Sequence, residues 1–263
     1  MWSDAAWAAI TQPLRWEDVR IPADEIPQLG CDVARFGMNR TAIGVGWGNY
    51  LVHFESKQGQ NTMQTAGRLL ELAEQWAEKA NPIRKLAGLP PIYSRNVPIK
   101  IDDDGVGGGS TDRLRELGML VRPIGAATPP SRPHRYPDKR SELWFDTRAR
   151  ARKGMLFLGL MPKRVLDALK LQAKAPLWKV NSQGQREVER KEQMAQRLDG
   201  KSPDGMDAIN NTFYVSGIEV AELVDIPHQP LHHRFQQQSE PDRHVMGRAE
   251  PRRPRRSLFG QGR

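Results

Sequence analysis

The order in which extended and helical segments alternate is the feature that most restricts the fold of this chain. Extended segments are predicted at 28–34, 41–48 and 50–55, and a helix at 61–79 is followed by a strand at 97–101, a helix at 110–118 and a strand at 119–124. The second and third strands meet at Gly48-Asn49, a pair typical of a tight hairpin turn. A hairpin followed by alternating helices and strands predicts an α/β domain with a mixed sheet.

The second half of the chain adds helices and one more hairpin. Helices are predicted at 141–152 and 162–174, and a β-hairpin near 177–188, where Asn-Ser-Gln-Gly separates two extended runs. A late helix is expected to begin with Ser202 as its N-cap and Pro203 as its first helical residue, and to run to Tyr214. Asn81-Pro82 is expected to end the long helix that begins near 61.

Composition divides the chain into three parts. Residues 1–26 read as a short helix and a linker, 27–227 as the folded domain, and 228–263 as a basic tail that is expected to be disordered. Of the net charge of +9, eight Arg and three acids in 229–263 contribute +5. This balance predicts a polyanionic partner, with nucleic acid ahead of an anionic membrane surface.

Several function classes are disfavoured by what the sequence does not contain. No apolar run is long enough to span a bilayer and no signal peptide is visible, so we expect a cytoplasmic location. The single cysteine, Cys31, can form neither an intrachain disulfide nor a zinc ribbon. No P-loop is present, and four of the six His lie in 228–244, so any chemistry must come from carboxylates.

Three carboxylate positions are candidates for that chemistry. Asp32 ends the first strand, Asp102 ends a later strand, and Asp204 and Asp207 lie at the start of the late helix. Spacing of i and i+3 puts the last two on one helix face, and strand ends and a helix start can meet at one sheet edge. Clustered carboxylates bind Mg²⁺, and two such ions can hydrolyse a phosphodiester. Taken singly, each acid also has an ordinary explanation as a turn or helix-start residue.

Taken together, five stretches resemble the nuclease domain of phage terminase large subunits. The stretches, in the order that the family keeps, are 31–43, 97–118, 139–154, 187–198 and 202–209. The resemblance covers most of 27–215. It implies a ribonuclease H-like fold with a mixed sheet flanked by helices, and divalent-metal-dependent endonuclease activity on double-stranded viral DNA during genome packaging.

By position, the resemblance implies catalytic and metal-ligating roles for Asp32, Asp102, Asp204 and Asp207, which would hold two Mg²⁺ or Mn²⁺ ions. It does not separate Asp204 from Asp207, although Asp207 is the better placed. Asp103 and Asp104 read as turn residues. Lys191 could meet a phosphate, but a solvated lysine is the commoner outcome, so it stays outside the catalytic set.

Two departures from the family pattern bear on function. Met38 and Asn39 stand where members often have an acid, and only about 26 residues precede the nuclease-like part, too few for the ATPase domain of a large subunit. The expected partners are therefore double-stranded DNA, a separate packaging ATPase, the small terminase subunit and the portal, in a bacterial host cytoplasm. Two alternatives stay open: a non-catalytic DNA-binding or motor-docking subunit, and a Holliday-junction resolvase-like nuclease.

Overall fold

A five-stranded mixed sheet forms the centre of the structure, a computed structural model that describes residues 1–34, 40–102, 107–197, 200 and 202–214. Its strands are β1 (Gln28–Asp32), β2 (Arg40–Trp47), β3 (Tyr50–Gln58), β4 (Ile99–Asp102) and β5 (Val121–Ile124). They are arranged in the order β3-β2-β1-β4-β5. Strand β1 pairs antiparallel with β2 and parallel with β4, so the two pairing modes meet at β1. The predicted mixed α/β fold is confirmed.

Helices cover the sheet, and a small hairpin lies apart from it. The helices are α1 (Asp4–Ile10), α2 (Thr62–Leu86), α3 (Gly107–Glu116), α4 (Lys139–Arg152), α5 (Lys163–Lys174), α6 (Lys191–Arg197) and α7 (Asp204–Thr212). The hairpin pairs β6 (Trp178–Val180) with β7 (Arg186–Val188), which confirms the hairpin predicted near 177–188. No helix in the described part of the chain is long and apolar enough to cross a bilayer. The predicted basic tail, 228–263, lies outside the described residues.

Each face of the sheet has its own hydrophobic core because neighbouring strand residues point to opposite sides. On one face, Leu29 and Cys31 of β1 join Ile43 of β2 in a core with α2 and α3. A second core contains side chains of α1, α4, α5 and α7, among them Trp144 and Ile209. The candidate acids lie where β1, β4 and α7 come together.

Glycines on β1 and β2 allow α7 to approach the sheet closely. Gly30 and Gly44 are paired across the two strands. A Cβ at Gly30 would lie 2.1 Å from the backbone nitrogen of Thr212, and one at Gly44 would lie 2.7 Å from the Thr212 hydroxyl oxygen. No other residue type fits there without displacing the helix. The glycines therefore set how closely the C-terminal half of α7 packs on β1 and β2.

A buried lysine binds the same C-terminal end of α7. The ammonium of Lys100, 2 % exposed, donates to the carbonyl oxygen of Thr212 at 3.0 Å and to that of Tyr214. The last carbonyls of a helix lack intrahelical partners and carry partial negative charge, so a cation stabilises them. Lys100 thereby ties α7 to β4, the strand that carries Asp102.

Two predicted helix boundaries were wrong. Helix α2 continues through Pro82 to Leu86. Contacts with residues outside the helix stabilise its last turn, because the Arg84 guanidinium donates to the carbonyl oxygens of Pro90 and Ala23. Helix α3 begins at Gly107, so Ser110 lies inside it, where its hydroxyl donates to the carbonyl oxygen of Thr62. Tertiary contacts override the local signals at both positions.

The start of α7 also differs from the expectation. Its N-cap is Pro203 rather than Ser202, and no side chain caps it. The carboxylate of Asp204 accepts a hydrogen bond at 3.1 Å from the backbone N–H of Arg40, at the start of β2. The first turn of α7 is thus joined to the neighbouring strand rather than closed by its own cap.

Candidate metal centre

Two of the candidate acids are neighbours because their strands run parallel. Cys31 pairs with Ile101, so Asp32 and Asp102 follow at the same end of β1 and β4. The close packing of α7 on β1 brings Asp207, in the first turn of that helix, to the same edge. Three carboxylates that are far apart in sequence therefore meet where two strands end and one helix begins.

The three carboxylates converge on one cation, the ammonium of Lys191 at the start of α6. The Nζ atom lies 3.5 Å from Oδ2 of Asp32, 3.3 Å from Oδ2 of Asp102 and 3.4 Å from Oδ2 of Asp207. Among the described residues, one ammonium forms ion pairs with three carboxyl groups, so these pairs contain fewer positive than negative charges. Lys191, outside the predicted catalytic set, lies at the centre of the site.

Burial makes the excess of negative charge around Lys191 energetically unfavourable. Asp32 is 4 % exposed and Asp207 is 7 % exposed. Burial, together with the nearby carboxylates of Asp207 and Asp102, raises the pKa of Asp32 well above its ordinary value, although Lys191 opposes the rise. Burial alone would lower the pKa of Lys191, but the three carboxylates outweigh it and raise that pKa. The lysine therefore stays charged at neutral pH.

Asp207 is oriented by a buried tryptophan. The indole Nε1–H of Trp144, on α4, donates to Oδ1 of Asp207 at 2.8 Å, and the indole is fully buried. This hydrogen bond leaves Oδ2 of Asp207 facing Lys191. The same Oδ2 atom, and Oδ2 of Asp32, are buried without a hydrogen-bond partner among the described residues. A ligand in the place of the Lys191 ammonium could therefore bind both Oδ2 atoms.

The structure separates Asp204 from Asp207, which the sequence could not. Asp204 bonds the backbone of Arg40 and has no ion pair with Lys191 within the described residues. It still lines the same cleft, of about 570 Å³, as the other three acids. Asp103, Asp104, Met38 and Asn39 lie outside the described residues.

The carboxylates around Lys191 match a divalent ion in the type of ligand atom that they offer. Mg²⁺ prefers hard oxygen ligands at about 2.1 Å, and the cluster offers carboxylate oxygens that already surround a cation. In the described ranges, however, no three His, Cys, Asp or Glu side chains lie close enough together to hold a metal ion. The ammonium explains the spacing, because it lies between the oxygens at 3.3 to 3.5 Å. The residue types fit a divalent ion, and the lysine occupies the space that an ion would take.

Sequence reasoning missed three residues of this site. Trp144 and Arg140 lie in a stretch that the family resemblance marked, but no motif assigned them a role. Asn210 lines the cleft one turn after Asp207, is 1 % exposed, and has no hydrogen-bond partner for its amide among the described residues. The spacing of i and i+3 between Asp207 and Asn210 was the one available signal.

Comparison with solved structures identifies the fold. The chain is similar to the nuclease domain of the large terminase subunit gp2 of bacterial virus Sf6, with a TM-score of 0.57, 14% identity and coverage of 80% of this chain and 96% of that one. It is similar to the large terminase nuclease from thermophilic phage G20c with bound magnesium, with a TM-score of 0.50, 14% identity and coverage of 79% and 94%.

A mutant gp2c of the Sf6 subunit with calcium is also similar, with a TM-score of 0.51, 15% identity and coverage of 72% of this chain and 88% of that one. No protein-family model and no curated protein matches the sequence. The expected likeness to phage terminase nuclease domains is confirmed at the level of the fold.

Proposed function

We propose that this protein is a divalent-metal-dependent endonuclease that cuts double-stranded viral DNA during genome packaging. The observation that carries the proposal is the convergence of Asp32, Asp102 and Asp207 on one cation at an edge of the sheet. A fold shared with phage terminase nuclease domains supports it. So does the basic sequence, whose net charge of +9 suits a polyanionic substrate.

Asp32, Asp102 and Asp207 would hold the metal, and Asp204 would assist from the rim of the cleft. Two divalent ions, when bound, activate a water molecule and stabilise the leaving oxygen of a phosphodiester. Trp144 orients the Asp207 carboxylate through its indole N–H. Lys191 keeps the buried acids compatible with the fold when they hold no metal, because its ammonium offsets part of their charge.

The expected partners are double-stranded DNA, a packaging ATPase, the small terminase subunit and the portal, in the host cytoplasm. The sequence contains no P-loop, so we expect nuclease activity without ATP. Saturable ATP turnover by the purified protein would contradict this assignment.

The second candidate is a DNA-binding or motor-docking subunit that lacks activity. The position of Lys191 favours it, because the ammonium fills the space between the carboxylates and the described residues form no ready metal cluster. The two candidates differ in one respect that can be measured, namely cleavage.

Conversion of supercoiled plasmid to nicked and linear forms tests the proposal. Wild type should cut with Mn²⁺ or Mg²⁺ and not with EDTA, and Asp102→Asn should lose about a thousandfold or more of the rate, since metal ligands carry the chemistry. Asp112→Asn is the matched control, because Asp112 is an exposed residue of α3 that faces Arg115. It should cut like wild type.

Two outcomes would reject the assignment. A folded Asp102→Asn protein that cuts as fast as wild type would show that the acid cluster is not the active centre. A wild type that binds DNA but does not cut it with any of the metals would favour the inactive subunit. Faster cutting of branched than of linear DNA would favour the resolvase-like nuclease.

A further inference from the structure

The cleft has a basic wall as well as its acids. Lys139 and Arg140, in the first turn of α4, and Arg190, just before α6, line the same cleft as Asp32 and Asp207. Lys139 is neutralised, because its ammonium lies 2.7 Å from Glu142. Neither Arg140 nor Arg190 forms an ion pair with a carboxylate of the described residues.

The guanidinium of Arg140 has a hydrogen-bond acceptor on one side and, among the described residues, none on the other. Its Nη1 donates to the backbone carbonyl oxygen of Glu189. Its Nε and Nη2 are buried and lack a hydrogen-bond partner within the described ranges. These two nitrogens form one edge of the guanidinium and present two nearly parallel N–H groups. An edge of this kind matches two oxygens of a phosphate or a carboxylate.

A buried cationic edge without an acceptor is unfavourable, and such groups in native proteins generally serve a ligand or a bound ion. The acceptor that fits is therefore an anion with two adjacent oxygens.

The position of this edge is tied to the acid cluster through one side chain. The Arg140 guanidinium carbon lies 5.8 Å from the centre of the Trp144 ring, and the Trp144 indole donates to Asp207 at 2.8 Å. Trp144 is fully buried, so it acts as a fixed spacer between the cation and the carboxylate. A DNA strand bound against Asp32 and Asp207 would therefore have the Arg140 guanidinium at a fixed distance along its sugar-phosphate backbone.

We propose that the Nε and Nη2 edge of Arg140 binds the nonbridging oxygens of a DNA backbone phosphate next to the one held at the acid cluster. The inference rests on the proposed function, since it assigns this part of the cleft to the same DNA strand. The cleft side chains must part to admit the phosphate, which is then shielded from water, and that shielding strengthens charge-assisted hydrogen bonds.

The test compares two charge-conserving substitutions on one helix. Arg140→Lys keeps the positive charge and removes the two-donor edge, whereas Arg148→Lys makes the same change two turns along α4, outside the residues that line the cleft. Affinity for a short fluorescein-labelled DNA duplex is measured by anisotropy in EDTA, where no cutting occurs. Arg140→Lys should bind about tenfold more weakly, and Arg148→Lys should bind like wild type.

Equal affinity of Arg140→Lys and wild type, or equal losses in both variants, would overturn the proposal. If Arg140→Lys does not fold, wild-type protein still gives an answer by NMR. The Nε–H resonance of Arg140 should shift when the duplex is added, and an unmoved resonance would also overturn the proposal. Because these measurements need no metal and no cleavage, they are independent of the plasmid assay that tests the nuclease activity.

Discussion

Two clusters of charged side chains lie close together in this molecule and are built in opposite ways. In the first, the Glu142 carboxylate, 1 % exposed, accepts from the Lys139 ammonium at 2.7 Å, from the Ser131 amide at 2.7 Å and from the Arg132 side chain at 3.1 Å. Asp146 accepts from the same arginine. Two cations face two carboxylates, and both oxygens of Glu142 have donors.

In the second cluster, around Lys191, the described residues provide one ion-paired cation for three carboxylates. The two clusters also differ in their pKa shifts. Burial alone would raise the pKa of Glu142, but hydrogen bonds from Lys139 and the Ser131 amide hold it below its ordinary value. The pKa of Asp32 is raised, because burial and neighbouring acids outweigh the single lysine. Glu142 is therefore favoured in its charged form, whereas burial raises the pKa of Asp146, its neighbour in the first cluster, despite the hydrogen bond from Arg132.

The difference separates a network whose carboxylates have matched donors from one whose carboxylates lack them. A buried carboxylate with matched donors stabilises the fold only as long as all its partners are present. A buried carboxylate without enough donors lowers stability, and such groups persist where a ligand supplies what is missing. Removing the charge of a buried acid, Glu142 in the first cluster or Asp32 in the second, should therefore change stability in opposite directions.

The largest effect is expected in the first cluster, formed by Lys139, Arg132, Glu142 and Asp146 and called the balanced cluster below. Glu142→Gln removes the charge that faces Lys139 and Arg132, both of which would remain cationic and poorly hydrated. The free energy of unfolding should fall by about 3 kcal/mol, the usual scale for breaking a buried ion pair. Urea denaturation measures it, with Glu71→Gln as the control because Glu71 forms an exposed pair with Arg68. Equal losses in the two variants would remove the distinction between buried network and surface pair.

The contrast between the two charged clusters could not be derived from the sequence. The mixed sheet, the hairpin near 177–188 and a helix at 141–152, observed at Lys139–Arg152, followed from periodicity and turn residues, which act locally. The pairing of Asp32 with Asp102 at neighbouring strand ends followed from the family order. The partners of Glu142 and the central position of Lys191 depend on how α4 and α6 pack on the sheet, and no local pattern encodes that packing.

The next effect concerns the single cation of the acid cluster. Lys191→Met should lower the free energy of unfolding in EDTA by about 2 kcal/mol, because it leaves three carboxylates without their counter-charge. Adding Mn²⁺ should raise the melting temperature more in this variant than in wild type, since no ammonium competes for the same oxygens. Differential scanning fluorimetry with and without Mn²⁺ gives both values.

Lys163→Met is the control for that substitution, because Lys163 forms an exposed pair with Asp167 on α5. Its response to Mn²⁺ should match wild type. If Lys191→Met responded to Mn²⁺ no more than wild type does, the lysine would not occupy the place of an ion.

A smaller change of the opposite sign is expected at Asp32. Its raised pKa means that the folded state disfavours the charged form, so stability falls as pH rises from the ordinary pKa through the folded one. Asp32→Asn removes that charge and should raise the free energy of unfolding at pH 7 in EDTA by about 1 kcal/mol, through relief of like-charge repulsion. A loss of stability in EDTA would place Asp32 among the structural acids with Glu142.

The smallest effect is expected at a charged pair away from the cleft, where the sign should match that of the balanced cluster. The Arg68 guanidinium donates to both oxygens of Glu55 at 2.8 Å, and His53 lies 3.0 Å away. These hydrogen bonds lower the pKa of Glu55 to about 2, below its ordinary value of 4.5.

The lowered pKa of Glu55 contributes stability at pH values above 4.5, and this contribution is lost as pH falls through about 2. Because the pair is partly exposed to solvent, Glu55→Gln should reduce the free energy of unfolding at pH 7 by only about 0.5 kcal/mol. The gap between variant and wild type should close on acidification, which urea denaturation at several pH values measures. A gap that stays constant down to low pH would assign the loss to packing instead of charge, and Glu55 would then belong to neither kind of cluster.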